Sequence, residues 1–82
     1  VEWVVVEREF PRSLTPDDIR GMEAKNECFD LYRVRAIRSY LMPDGKRLVC
    51  VFEAPDAESV RAVLKARQSP PGTVWTCSLH TP

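Results

Sequence analysis

The chain has 82 residues, 44% of them hydrophobic, and its twelve basic side chains are balanced by twelve acidic ones. A neutral balance argues against general affinity for nucleic acid or membrane surfaces, both of which favour a net positive chain. No apolar run approaches the roughly 18 residues of a membrane span, and no signal-peptide pattern is visible, so the expectation is one cytoplasmic domain over residues 1–82.

A chain this short buries roughly 60% of its unfolded surface, and a partner copy would add useful burial. The cysteines, Cys28, Cys50 and Cys77, are odd in number and widely spaced. That is not a disulfide framework; reduced, mostly buried thiols are expected, with no CxxC spacing to start a metal site.

Glu2 to Phe10 alternates around Val4, Val5 and Val6, which predicts a central strand. Pro11 to Leu14 reads as a loop. Thr15-Pro16-Asp17-Asp18 is a helix start, with Thr15 as N-cap, Pro16 at the first helical position and acids in the first turn. Ile19, Met22 and Phe29 lie near one face of that helix, widened by Cys28 and Leu31. Gly21 weakens it by up to about 1 kcal/mol relative to alanine, and a small residue there suggests close approach of the sheet.

A second strand is predicted from about Arg33 to Met42, then a hairpin turn at Pro43-Asp44-Gly45. Arg47 to Glu53 is a strand rich in β-branched and apolar residues, stopped at Ala54-Pro55 because proline has no N–H for a ladder. Asp56 sits where an N-cap belongs, Glu58 suits the positive end of the helix dipole, and Val60, Val63 and Leu64 give the helix a buried face. Two prolines in Ser69 to Gly72 forbid its continuation. Thr73 to His80 reads as the last strand. The order β-α-β-β-α-β is the ferredoxin-like α+β pattern, a four-stranded antiparallel sheet with two helices on one face.

Period-two alternation assigns the faces of the sheet. Val4, Val6, Leu48, Cys50, Phe52, Trp75, Cys77 and Leu79 are expected under the helices. The opposite face is expected to carry Trp3, Val5, Glu7, Glu9, Val49, Val51, Glu53, Thr76, Ser78 and His80. The second strand is ambiguous, because Ile37 and Leu41 oppose Arg38 and Tyr40; Arg38 and Tyr40 are placed on this open face. A bare face with an apolar centre signals a partner or ligand. Face-to-face pairing of two such sheets would give a dimeric α+β barrel, its lumen lined by Glu7, Arg38, Tyr40, Val49, Val51, Glu53 and Thr76.

VVVEREFP at residues 4–11, RAIRSYLMPDGKRLVCVFEAPDAESVR at residues 35–61 and the loop and strand near Pro71 to Val74 resemble the small bacterial family catalogued as domain of unknown function 4242, the nickel-binding-protein family. The resemblance spans nearly the whole chain and is most specific at residues 50–61. It implies a ferredoxin-like fold, a homodimer forming an α+β barrel, and nickel binding. Nickel-binding members are rich in histidine, because imidazole suits Ni(II). This chain has one histidine, His80. At the places where such members carry histidines on the second strand and second helix, it has Arg35 or Arg38 and Val63 or Leu64, none of which ligates a cation. Neither nickel nor another cofactor is therefore expected.

Each chemical constellation has a plainer alternative. Glu7 and Glu9 near Arg38 and Glu53 suit a general base or a polar-ligand anchor, or equally a salt bridge between subunits. Glu53 also suits bonds to backbone N–H groups at the Pro55 corner. Tyr40 beside Arg38 suits holding a ligand's oxygen, or packing its ring at the rim. Trp3 and Trp75 suit stacking on a flat ligand, or core and dimer contacts. Cys28 has Lys25 nearby but also Glu23, Glu27 and Asp30, which is not the electropositive setting of a reactive thiol; Cys50 reads as inert core. His80, near the last residue, reads as a rim residue. Arg33, Arg35 and Arg38 suggest phosphate, yet RNA-binding sheets of this type need aromatics on their central strands, and the chain has none paired there.

No phosphate loop, nucleophile elbow, HExxH or dinucleotide fingerprint is present. The reading is a homodimeric, non-catalytic, small-ligand-binding domain. The alternatives are a small dimeric α+β barrel enzyme and a structural or regulatory interaction module.

Overall fold

The runs at residues 2–9 and 47–54, in which alternate residues are buried, form the centre of the sheet. The computed structural model of the protein describes residues 1–23, 27–67 and 72–82. Its elements, in order, are β1 (Glu2–Glu9), α1 (Pro16–Glu23), α2 (Glu27–Leu31), β2 (Arg35–Leu41), β3 (Arg47–Ala54), α3 (Ala57–Ala66) and β4 (Gly72–Cys77). The strands lie in the order β2-β3-β1-β4, and every neighbouring pair is antiparallel. This is the expected ferredoxin-like arrangement. The predicted first helix is described as two segments, and the predicted Ser69 to Pro71 loop lies outside the described residues. Among the described residues no helix is long and apolar enough to cross a membrane.

Local chemistry sets the element ends. At α1, the Thr15 N–H donates to the Asp18 carboxylate at 2.8 Å, and the Asp18 N–H donates to Thr15 Oγ1 at 3.2 Å. This reciprocal capping box satisfies two otherwise orphaned groups. At α3, Asp56 accepts from the Ser59 N–H at 2.7 Å and from its hydroxyl at 2.8 Å. Gly45 takes φ +72° in the β2–β3 turn, a conformation open to glycine at little cost. The Gly45 carbonyl then accepts from the Leu14 N–H at 2.6 Å, tying the β1–α1 loop to the hairpin.

The second strand starts two residues later than predicted. Arg33 sits at φ +59°, and the Val34 N–H donates to the Phe29 carbonyl at 2.8 Å, closing α2 in the manner of a left-handed helix end. A chain turning there cannot yet pair as a strand.

Helices cover one side of the sheet. Val4, Val6, Leu48, Cys50 and Phe52 from β1 and β3 are buried against Phe29, Val60 and Val63. The Phe29 and Phe52 rings meet at 5.8 Å between centroids. Two expectations about the first helix fail. Gly21 does not mark close approach, since a Cβ placed there meets no described atom within 4 Å. Leu31 is 76% exposed rather than part of the apolar face. Gly72 is the glycine that permits close approach: a Cβ there would run into the Glu7 carbonyl and the Arg8 stem.

Candidate functional site

The uncovered face is built by strand register. Residues directly opposite on paired strands project to the same side. One row crosses all four strands as Arg38, Val51, Val5 and Trp75; a second is Tyr40, Val49, Glu7 and Thr73; a third is Arg35, Glu53, Trp3 and Cys77. Arg47 and Glu9 stand opposite each other beyond them. Trp3, Val5, Val49 and Val51 are partly buried by one another, while Tyr40 and Trp75 remain 49% and 39% exposed. The result is an apolar centre with charges around it.

Glu7, Arg38, Tyr40, Val49, Val51 and Glu53 all lie on this face. Thr76 does not. It stands opposite Val4 on the helix-covered side, so its expected place in a lumen is corrected. The whole of β4 was expected in the opposite sense: Trp75 and Cys77 face the open side, and Val74 packs toward the core opposite Val6. In this strand both parities carry apolar or small residues, so alternation gives the period and not which set faces the helices. The open face has its own apolar centre, so bulk does not discriminate there. Leu79 and His80, also expected on the last strand, lie beyond its end.

The charged groups pair within the chain. Arg35 reaches Glu53 at 3.1 Å. Arg47 reaches Glu7 at 3.2 Å and Glu9 at 3.5 Å. Sequence reasoning gave neither arginine this role, although Arg47 is the first residue of the central strand β3 and shares its face with Val49. The Arg38 guanidinium differs. Its bond is to the Tyr40 hydroxyl at 3.4 Å, and no carboxylate lies within ion-pair distance of it among the described residues. Tyr40 pushes the Arg38 guanidinium above its ordinary value, through the hydrogen bond first and the phenol's charge second. Arg38 and Tyr40 thus form a donor pair next to Val49 and Val51, suited to an oxygen acceptor on an otherwise apolar molecule.

The donors present do not fit a nickel ion. Among the described residues no three histidine, cysteine, aspartate or glutamate side chains converge. The His80 ring lies 2.7 Å from the Ser78 hydroxyl on an exposed segment, and Cys77 stands beside Trp3 with no imidazole opposite. The Cys28 side chain, considered above as a redox thiol, falls outside what the structure describes.

Comparison with known proteins adds a family and a fold. A family model described as the nickel responsive protein SCO4226-like family matches residues 5–76. No curated protein matches the chain in sequence. Among solved structures, the crystal structure of SCO4226 from Streptomyces coelicolor A3(2) superposes with a TM-score of 0.83 at 16% identity, over 96% of this chain and 99% of that one. At that identity the likeness establishes the fold. The match supports the expected nickel-associated family under the SCO4226-like description; the 4242 designation stays a resemblance.

Proposed function

The chain belongs to the SCO4226-like nickel responsive family, and on that premise we propose that it is a non-catalytic homodimer binding a small organic ligand between two apposed sheets. The observation that carries this reading is the open face itself. Trp3, Val5, Val49, Val51 and Trp75 form an apolar centre spanning three strands, on the side of the sheet away from the helices. Apolar surface of this kind on a small domain marks a partner or a ligand. A second copy meets the description best, because the rim charges are of both signs and, Arg38 excepted, paired within each chain, so like faces meet with little net repulsion.

Arg38 and Tyr40 suit, as ligand, a small apolar or flat molecule bearing an oxygen acceptor. The family's name points to nickel, but the donor set described above does not fit that ion, and the reading does not pass through it.

Native mass spectrometry of untagged protein tests both halves at once. A dimer mass with a retained small molecule is the expected result, and Arg38→Ala is expected to keep the dimer and lose the molecule. A chain that stays monomeric at micromolar concentration overturns the reading. A dimer that carries nickel and no organic molecule overturns the ligand assignment.

A further inference from the structure

Arg8 is charged and lies on the wrong side of the sheet for a charge. Strand alternation sends it inward after Val4 and Val6, where it stands between Leu48 and Gly72. It is 7% exposed. The missing side chain at Gly72 leaves room for its aliphatic stem. A buried charge is normally paired with an opposite one, yet Arg8 has no carboxylate within ion-pair distance among the described residues. One of its terminal nitrogens reaches the Cys50 sulfur at 3.4 Å, its guanidinium carbon stands 5.7 Å from the Phe10 ring centre, and its Nε has no hydrogen-bond partner there.

Arg8 lines a cavity of about 30 Å³ beneath the helices. The Ser39 hydroxyl, the Cys50 thiol and Arg67 line it too. Arg67 brings a second positive charge; it donates to the Met22 carbonyl and stacks over Phe29. The described lining therefore holds two guanidiniums, a hydroxyl, a thiol and apolar walls, with no negative group. A water needs roughly 10–15 Å³, so the space is of the size of one or two waters or a single halide ion.

We propose that this cavity is a binding site for a small inorganic anion of halide size, held by Arg8 as the internal counter-charge between sheet and helices. The site is separate from the open face and independent of the ligand proposed there.

The test measures thermal midpoints of the full chain in sodium bromide, sodium chloride and sodium gluconate at equal ionic strength, gluconate being too large to enter. The expected result is a midpoint higher by roughly 5 °C or more in either halide, the shift that a saturating ligand gives a domain of this size. Arg8→Met is expected to abolish the halide increment. Should that variant fail to fold, anomalous scattering from bromide-grown crystals of the unaltered protein decides, with a peak beside Arg8 expected. Equal midpoints in halide and gluconate overturn the proposal. So do a halide increment that survives Arg8→Met, anomalous peaks confined to the outer surface, and a protein carboxylate filling the cavity.

Discussion

The two faces of this sheet are made by the same strands and meet different fates. Val4 and Val6 are fully buried while Val5 between them is partly open; Leu48, Cys50 and Phe52 are buried while Val49 and Val51 are not. In a sheet with one wet face the outward positions are polar. Here both parities of the central strands are apolar, and the chain's own helices satisfy one of them. The difference teaches that strand composition supplies two apolar parities while the chain's own helices cover one; the proposed dimer would use the other. The charges divide in the same way. On the open face Arg35 and Arg47 find carboxylates, at rim positions where such pairs contribute about 0–1 kcal/mol. On the covered face Arg8 finds none among the described residues.

The sharpest way to break this comparison is to truncate matched residues on the two faces. Leu48→Ala leaves a cavity in the covered face and is expected to cost about 2–5 kcal/mol, a large part of the roughly 5–15 kcal/mol that holds a domain together. Val49→Ala, its neighbour on the open face, is expected to cost about 1 kcal/mol or less in the isolated chain. Urea denaturation at low protein concentration measures both. Equal losses would mean that the open face is already packed within one chain.

A charge placed at the middle of the open face comes next. Val51→Lys puts two like charges close together across a two-fold pairing, a juxtaposition that costs several kcal/mol. The dissociation constant of the proposed dimer is expected to rise at least about 100-fold, with the far-ultraviolet circular dichroism unchanged. Sedimentation velocity reads the first and spectroscopy the second. A variant that unfolds instead would place Val51 in the core.

Much of this architecture was legible in the sequence, and the exceptions have physical causes. The element order followed from strong local signals: the Thr15 and Asp56 caps, the Pro55 strand stop and the Gly45 turn. The open-face positions of Glu7, Val49, Val51 and Glu53 followed from alternation; those of Arg38 and Tyr40 took a choice between two parities, in a strand whose register shifts between Ala36 and Arg38. Thr76 failed because β4 is an edge strand whose two sides are both partly exposed, so neither parity stands out. Arg8 went unnoticed as a buried charge, although the alternation that places Glu7 and Glu9 outward places it inward. The parity of β4 has its own test. Val74→Asp sets a carboxylate toward the core and is expected to cost about 1–3 kcal/mol, whereas Trp75→Asp in the monomer is expected to cost about half of that or less. The reverse order would put Trp75 under the helices, as expected from the sequence.

The smallest effect concerns the covering layer, through its two helix caps. Backbone N–H donation from Thr15, helped by its hydroxyl and by Arg12, holds the Asp18 carboxyl below its ordinary value of 3.8. Donation from the Ser59 N–H, then from its hydroxyl, does the same for Asp56. A carboxylate whose pKa is lowered by folding stabilises the fold fully above the unfolded value and loses that contribution as pH falls toward the folded value. Both caps are therefore intact from pH 7 to about pH 5 and weaken below about pH 4. Asp56→Asn keeps an acceptor oxygen at the N-cap but removes the charge. Its thermal midpoint is expected to lie a few degrees below that of the unaltered protein at pH 6, with the gap narrowing as the pH drops below 3.8. Because these caps anchor the helices and not the strands, acid is expected to loosen the covered side through them. A gap that stays constant from pH 6 to pH 2.5 would show that the Asp56 charge contributes nothing to the α3 start beyond its oxygen.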